Sequence, residues 1–187
     1  MISQEYGFLF IHIPKTAGNA IQQHLRNYSE DSIVCLAPHH DGVERFQVRS
    51  PLYGISKHSS LAEYRARIPA HTFEKLFIFT CVRNPWDRVI SHYFSPHRGE
   101  LQWNRKRFIR LLKRIPPAET YLSLDRKDAF IPKQKKGVDY CMRFENLEED
   151  FREVCTRIGI PWQPLPFLNK SAKQHYSHYY DDELVER

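Results

Sequence analysis

The chain has 187 residues, enough for one globular domain with a real core, and its 41% hydrophobic and 13% aromatic content excludes a disordered protein. A formal net charge of +6 favours anionic partners, including nucleotides, nucleic acid, acidic polysaccharide and membrane surfaces, although charge alone does not separate these from general solubility. Four scattered cysteines, Cys35, Cys81, Cys141 and Cys155, form no C-x-x-C pair and read as buried thiols in a reducing compartment, not a disulfide framework or zinc site.

The opening "MISQEY" is polar, and the first apolar run is too short to span a bilayer. The expectation is a cytoplasmic protein with no transmembrane segment. Without internal repeats or a low-complexity linker, residues 1–187 are read as a single domain.

In chain order, "YGFLFIHI" (6–13) reads as a buried strand and "GNAIQQHLRNY" as a helix with Ala20, Ile21 and Leu25 on one face. "LYGISKH" (52–58) reads as a weaker strand. It leads into "SSLAEYRARI", where Ser60 and Glu63 have capping-box spacing. "KLFIFTCV" (75–82) has the continuous apolar character of a central parallel strand. In "RNPWDRVISHYF", Asn84 suits an N-cap, Pro85 the first helical position and Asp87 the first turn. Residues 103–115 predict an amphipathic helix with Phe108, Leu111, Leu112 and Ile115 inward. "VDYCMRF" (138–144) predicts another strand, and the helix "ENLEEDFREVCTRIG" follows it. "PWQPLPFLNKS" reads as a proline-rich loop, with a last helix starting near Tyr179. Strands alternating with helices imply an α/β fold with a mostly parallel sheet, in which ligands bind at the carboxyl ends of the strands. The loops 14–20 and 83–87 both fall there.

A turn of small residues such as "PKTAGNA" lets backbone N–H groups converge on a phosphate at the start of the next helix. Lys15 adds a positive charge and the Thr16 hydroxyl a donor. The loop is not a Walker A motif, because its lysine precedes the glycine. Arg83 follows directly on a buried strand, where a guanidinium can grip a phosphate bidentately, and Ser91 lies two turns into the following helix. The competing reading makes the first stretch an ordinary turn, Arg83 an ion-pair partner of Asp87, and Ser91 a surface serine.

Together, "FIHIPKTAGNA" and "TCVRNPWDRVISHYF" resemble the 3′-phosphoadenosine 5′-phosphosulfate (PAPS)-dependent sulfotransferases. The likeness is strongest to the carbohydrate branch that includes heparan and chondroitin enzymes and many short bacterial relatives. It continues through "KHSSLAEYR", "MRFENLEEDF" and "LPFLNKSAKQHYSHYYDDELVE". The resemblance implies a three-layer P-loop-NTPase-like fold with a central mostly parallel sheet flanked by helices. It also implies a reaction in which a sulfuryl group passes in line to an acceptor hydroxyl, leaving adenosine 3′,5′-bisphosphate. By motif position, Lys15, Thr16, Gly18 and Asn19 would hold the 5′-phosphosulfate, with Ala17 and Ala20 as further cofactor-binding positions of the loop, and Arg83 and Ser91 would hold the 3′-phosphate. The family often has Gly and Ser or Thr where this chain has Ala17 and Asn19. Lys170, Ser171 and Lys173, in a segment resembling the family's C-terminal lid, are further candidate contacts.

Such a transfer needs cations on the leaving oxygens and a base for the acceptor proton. Lys15 fits the first role. No metal is expected, in contrast to kinases, whose Mg²⁺ neutralises the phosphates. Of ten histidines, His58 is the chosen base: it precedes a helix at the loop edge, and the resembling families carry a catalytic His in this region. His12 is the rival, with core packing as its other reading, and Glu63 is a weak orienting candidate. His39, His40 and Asp41 read as loop residues, not metal ligands. The basic run Arg105, Lys106, Arg107, Arg110, Lys113 and Arg114 reads as a solvated helix face or a recruiting surface for an acidic glycan. The expected acceptor is a glycan or glycolipid hydroxyl, and no nucleic-acid partner is expected. The alternatives are a nucleotide kinase of related fold and a non-catalytic anion-binding module, the latter without an RNA-binding signature.

Overall fold

The computed structural model describes residues 1–36, 45–95, 102–124, 137–166 and 173–186. Its strands are β1 (Ile2–Ser3), β2 (Phe8–Ile11), β3 (Ser32–Cys35), β4 (Phe46–Arg49), β5 (Phe77–Val82) and β6 (Tyr140–Arg143). Its helices are α1 (Gly18–Leu25), α2 (Leu61–Arg67), α3 (Ala70–Phe73), α4 (Pro85–Tyr93), α5 (Arg105–Leu112), α6 (Glu119–Leu122), α7 (Leu147–Ile158) and α8 (Asp182–Val185).

Side-chain alternation along two apolar strands creates the layers. All four residues of β2 are fully buried, and a pleated strand sends successive side chains to opposite faces. Phe8 and Phe10 join one core with Phe79, Cys81 and Met142, whereas Leu9 and Ile11 join a second core with Ile78. Helices α1 and α7 cover the first face through Ala20, Ile21, Leu25, Phe151 and Val154, and α2 and α3 cover the other through Leu61, Tyr64 and Phe73. The sheet order is β1-β2-β5-β6; β2, β5 and β6 run parallel, and β1 lies antiparallel at the edge. The fold is therefore mixed α/β, with a central mostly parallel sheet flanked by helices.

Local signals set the helix starts. Ser60 and Glu63 form the complete capping box at α2, and the Asn84 side chain accepts from the Asp87 backbone N–H at α4, with Pro85 in the first turn. A third cluster of Ile90, Tyr93, Phe108 and Leu184 joins α4, α5 and the C-terminal segment.

Several expectations are corrected. Residues 52–58 form turns and loop, not a strand; at their start Ser50 closes the turn through Gly54 and Tyr53. The additional strands are β1, at the sheet edge, and β3 and β4, an antiparallel pair whose outward positions are polar or half-buried. The helix expected over 103–115 is regular only at Arg105–Leu112, with Phe108 fully buried and Leu111, Leu112 and Ile115 half-buried. The last helix begins at Asp182, because Asp181 supplies the cap, and Tyr176–His178 form a separate 3₁₀ turn. Cys81 and Cys155 are buried as expected, but Cys35 and Cys141 are exposed. Among the described residues, no helix is long and apolar enough to cross a membrane. His39, His40, Asp41, Lys170 and Ser171 lie outside the described residues.

Candidate active site

Parallel pairing makes β2, β5 and β6 end at one edge of the sheet, and the segments that follow them enclose a cavity of about 1200 Å³. Its wall includes Lys15, Ala17, Gly18, Asn19 and Ala20 after β2, Arg83 and Ser91 after β5, and Phe144 after β6. His58 and Lys173 complete it from elsewhere in the chain. Thus nearly every candidate residue that is described lies on one cavity.

Thr16 is the exception. It is fully buried, and its hydroxyl donates to the Ile13 carbonyl oxygen at 2.8 Å. The side-chain donor expected for an anion is instead spent closing the turn. Lys15 and Ala17 adopt left-handed backbone conformations, with φ of 72° and 65°. Such positions cost an L-residue about 1–2 kcal/mol each and cluster where function over-determines the backbone. Gly18 meets a different demand: a Cβ there would stand 1.9 Å from Cδ2 of His12, so glycine lets the imidazole lie against the helix start. Arg88, buried in α4, donates to the carbonyls of Pro14 and Pro116, each at 3.1 Å, and so fixes the loop from below.

Arg83 joins the two loops. Its Nη1 donates to the Lys15 carbonyl oxygen at 3.2 Å, its Nη2 lies 2.6 Å from an Asp87 carboxylate oxygen, and its guanidinium stacks 3.9 Å from the Phe144 ring centre. Lys173 pairs with the other oxygen of Asp87. Burial alone would push the Asp87 carboxyl up, but the Lys173 hydrogen bond and the Arg83 charge outweigh it and hold the group below its ordinary range. The ion pair of the competing reading is therefore present, and it holds Arg83 at the cavity wall. Lys15 Nζ donates to Ser95 Oγ at 3.2 Å, one helical turn beyond the buried Ser91.

The two histidines lie side by side, with ring centres 4.4 Å apart. Nδ1 of His58 donates to the His12 carbonyl oxygen at 3.1 Å, which leaves Nε2 as its basic nitrogen. His12 is almost fully buried, with Nδ1 at 3.0 Å from Gln22 Oε1. Desolvation lowers both imidazole pKa values, and the Lys57 charge adds to this at each ring. Both rings are therefore neutral at pH 7, as a base must be. Glu63 is committed to the α2 capping box.

Sequence reasoning passed over Phe144, Ser95, Gln22 and the Asp87–Lys173 pair. Phe144 was accessible by the signal that marked Arg83, since each directly follows a parallel strand. Ser95 lies four residues beyond Ser91, just past the end of α4 at Tyr93. Gln22 carries no such mark, and nothing in the sequence pairs the candidate Lys173 with Asp87, because these partners are set by tertiary packing.

The model of a family described as "Sulfotransferase family" matches residues 1–184. A protein of Archaeoglobus fulgidus, described as an uncharacterized protein, is similar to this chain at 28% identity over 114 residues, covering 60% of this chain and 92% of its own length. No solved structure matches significantly.

Proposed function

The chain belongs to the sulfotransferase family, and from that premise we propose that it moves the sulfuryl group of PAPS to a carbohydrate hydroxyl. The observation that carries this reading is the hydrogen bond from Arg83 to the Lys15 carbonyl, which brings two cations from different strand ends onto one cavity. A bisphosphorylated nucleotide has anionic groups at two places and requires such a pair, whereas a single-phosphate ligand does not.

The fit is supported by three features. Backbone amides at Ala17, Gly18 and Asn19 open the helix α1, where an anion is favoured. Phe144, Leu147, Leu165 and Pro166 give the cavity apolar surface suited to a base, on a wall they share with Glu145, Glu148 and Glu149. Its volume of about 1200 Å³ leaves room for an acceptor beside a nucleotide. The loop would serve in the manner of a P-loop, though without that motif.

In this reading Nε2 of His58 takes the proton of the acceptor hydroxyl, whose oxygen forms the new S–O bond. Lys15 stabilises the negative charge that develops on the phosphate oxygen as the old S–O bond breaks. Lys173, already on the cavity wall, is positioned to exchange Asp87 for the 3′-phosphate.

The test is thermal stabilisation by adenosine 3′,5′-bisphosphate against AMP, followed by transfer from labelled PAPS to a glycan panel. The bisphosphate should raise Tm clearly more than AMP does. Equal shifts would remove the role given to Arg83 and Ser91, and phosphorylated product from ATP and Mg²⁺ would replace the reading with a kinase.

A further inference from the structure

The basic run of α5 divides into three groups in the folded chain. Arg105 is paired with Asp181 and Glu183. Lys106 and Lys113 are exposed. Arg107, Arg110 and Arg114 are exposed as well, but they line a second cavity of about 370 Å³, beside the half-buried Leu111 and Ile115. Spacings of three and four residues put these three arginines on one stripe of the helix and its first following turn.

Among the described residues, none of these three guanidiniums has a hydrogen bond or an ion pair, and no carboxylate lines their cavity. The contrast with the main cavity is direct, because there Asp87 balances both Arg83 and Lys173. Three like charges around one concavity repel one another and concentrate a positive potential, which an entering oxyanion would relieve through charge-assisted, bidentate contacts.

Location suggests what the anion is attached to. His92 of α4 lines both cavities, and it lies between Ser91 and Ser95, the partner of Lys15. A molecule anchored in the arginine groove would therefore extend toward the Lys15 side of the main cavity. The groove holds about one sugar-sized group and, among the described residues, presents no Phe, Tyr or Trp on which a nucleic-acid base could stack.

We propose that the groove of Arg107, Arg110 and Arg114 is an acceptor subsite that takes a carboxylate or sulfate group on a sugar one or more units from the hydroxyl being modified. Only the identity of the occupant as the acceptor rests on the sulfotransferase reading; the anion site itself does not.

The test uses the whole protein saturated with adenosine 3′,5′-bisphosphate, so that the nucleotide cavity is filled. Calorimetry then compares hexagalacturonate, which carries carboxylates only, with sulfated maltohexaose, neutral maltohexaose and hexathymidylate. At least one anionic sugar should bind, with an affinity that falls steeply as salt rises, and neutral maltohexaose should not. The variant Arg107→Gln/Arg110→Gln/Arg114→Gln should weaken that binding by at least ~10-fold, while the bisphosphate affinity and Tm stay unchanged. Arg110→Gln alone should weaken it by ~3-fold, so the prediction survives a poorly folded triple variant. The relative affinity of the two anionic sugars identifies the group recognised. Absence of anionic-sugar binding, equal binding by the triple variant, or tighter binding of hexathymidylate overturns the proposal. Loss of bisphosphate binding with sugar binding intact would instead count against the sulfotransferase reading and leave the groove standing.

Discussion

The Arg83 guanidinium donates a hydrogen bond to the backbone carbonyl oxygen of Lys15 across 3.2 Å, tying the end of β5 to the end of β2. One side chain thus fixes the distance between the two loops and supplies charge between them. Arg83→Lys keeps the charge but loses the fork that serves Lys15, Asp87 and an incoming phosphate together. Affinity for adenosine 3′,5′-bisphosphate should fall by about 10–100-fold, with a much smaller change for AMP, as measured by calorimetry.

Gly18→Ala places a methyl group 1.9 Å from the His12 ring, which is held by Gln22 and the core. The imidazole or the start of α1 must move. Urea unfolding should show a loss of about 1–3 kcal/mol, together with reduced nucleotide binding. A variant as stable as the parent would mean that the ring has room to turn.

Ala17 has φ of 65°, where an L-residue is strained and glycine is not. The strain relieved exceeds the extra freedom that glycine gives the unfolded chain. Ala17→Gly should therefore stabilise the fold by about 0.5–1 kcal/mol. A destabilised variant would show that the strain is taken up elsewhere.

Lys173 and Asp87 link the C-terminal segment to α4, with side-chain exposures of 13% and 18%. Burial at this level leaves the pair only partly screened. A double-mutant cycle with Asp87→Asn and Lys173→Met should give a coupling of about 1–2 kcal/mol. Additive single effects would reduce the contact to a crossing of side chains.

The neutral histidine pair sets an acid limit. His12 and His58 titrate below the ordinary 6.5 in the fold, chiefly through desolvation, and near it when unfolded. Below pH 6.5 the unfolded chain takes up protons that the native chain refuses. Their contribution is therefore complete above 6.5 and declines as pH falls through the lowered native values. Asp87, held below its ordinary 3.8, titrates in a separate, more acidic window. Urea midpoints should drop as pH falls below 6.5, and less steeply in His58→Gln. The acid limb of kcat/KM should likewise lie below pH 6.5, and a limb above it would move the base away from His58.

Signals confined to a few neighbouring residues were legible without coordinates. Periodicity located β2, β5, β6, α1 and α7, while Ser60–Glu63 and Asn84–Pro85 marked two helix starts because a cap is a contact within one turn. Residues 52–58 misled: their apolar content resembles a strand, but Gly54 at φ 59° turns the chain and Ile55 packs into a core instead of pairing. The β3–β4 pair escaped notice because β3 has no buried position and β4, although it alternates, is only four residues long.

By itself the sequence determined the alternating layers, the two loops at strand ends and the chemistry available there, because these follow from local pattern and side-chain type. Only the tertiary structure decided which charges meet. Asp87 binds Lys173 from far along the chain, Thr16 turns its hydroxyl inward, and three arginines of one basic run converge while Arg105 is neutralised. Charge pairing and desolvation depend on distance through space, which sequence separation does not encode.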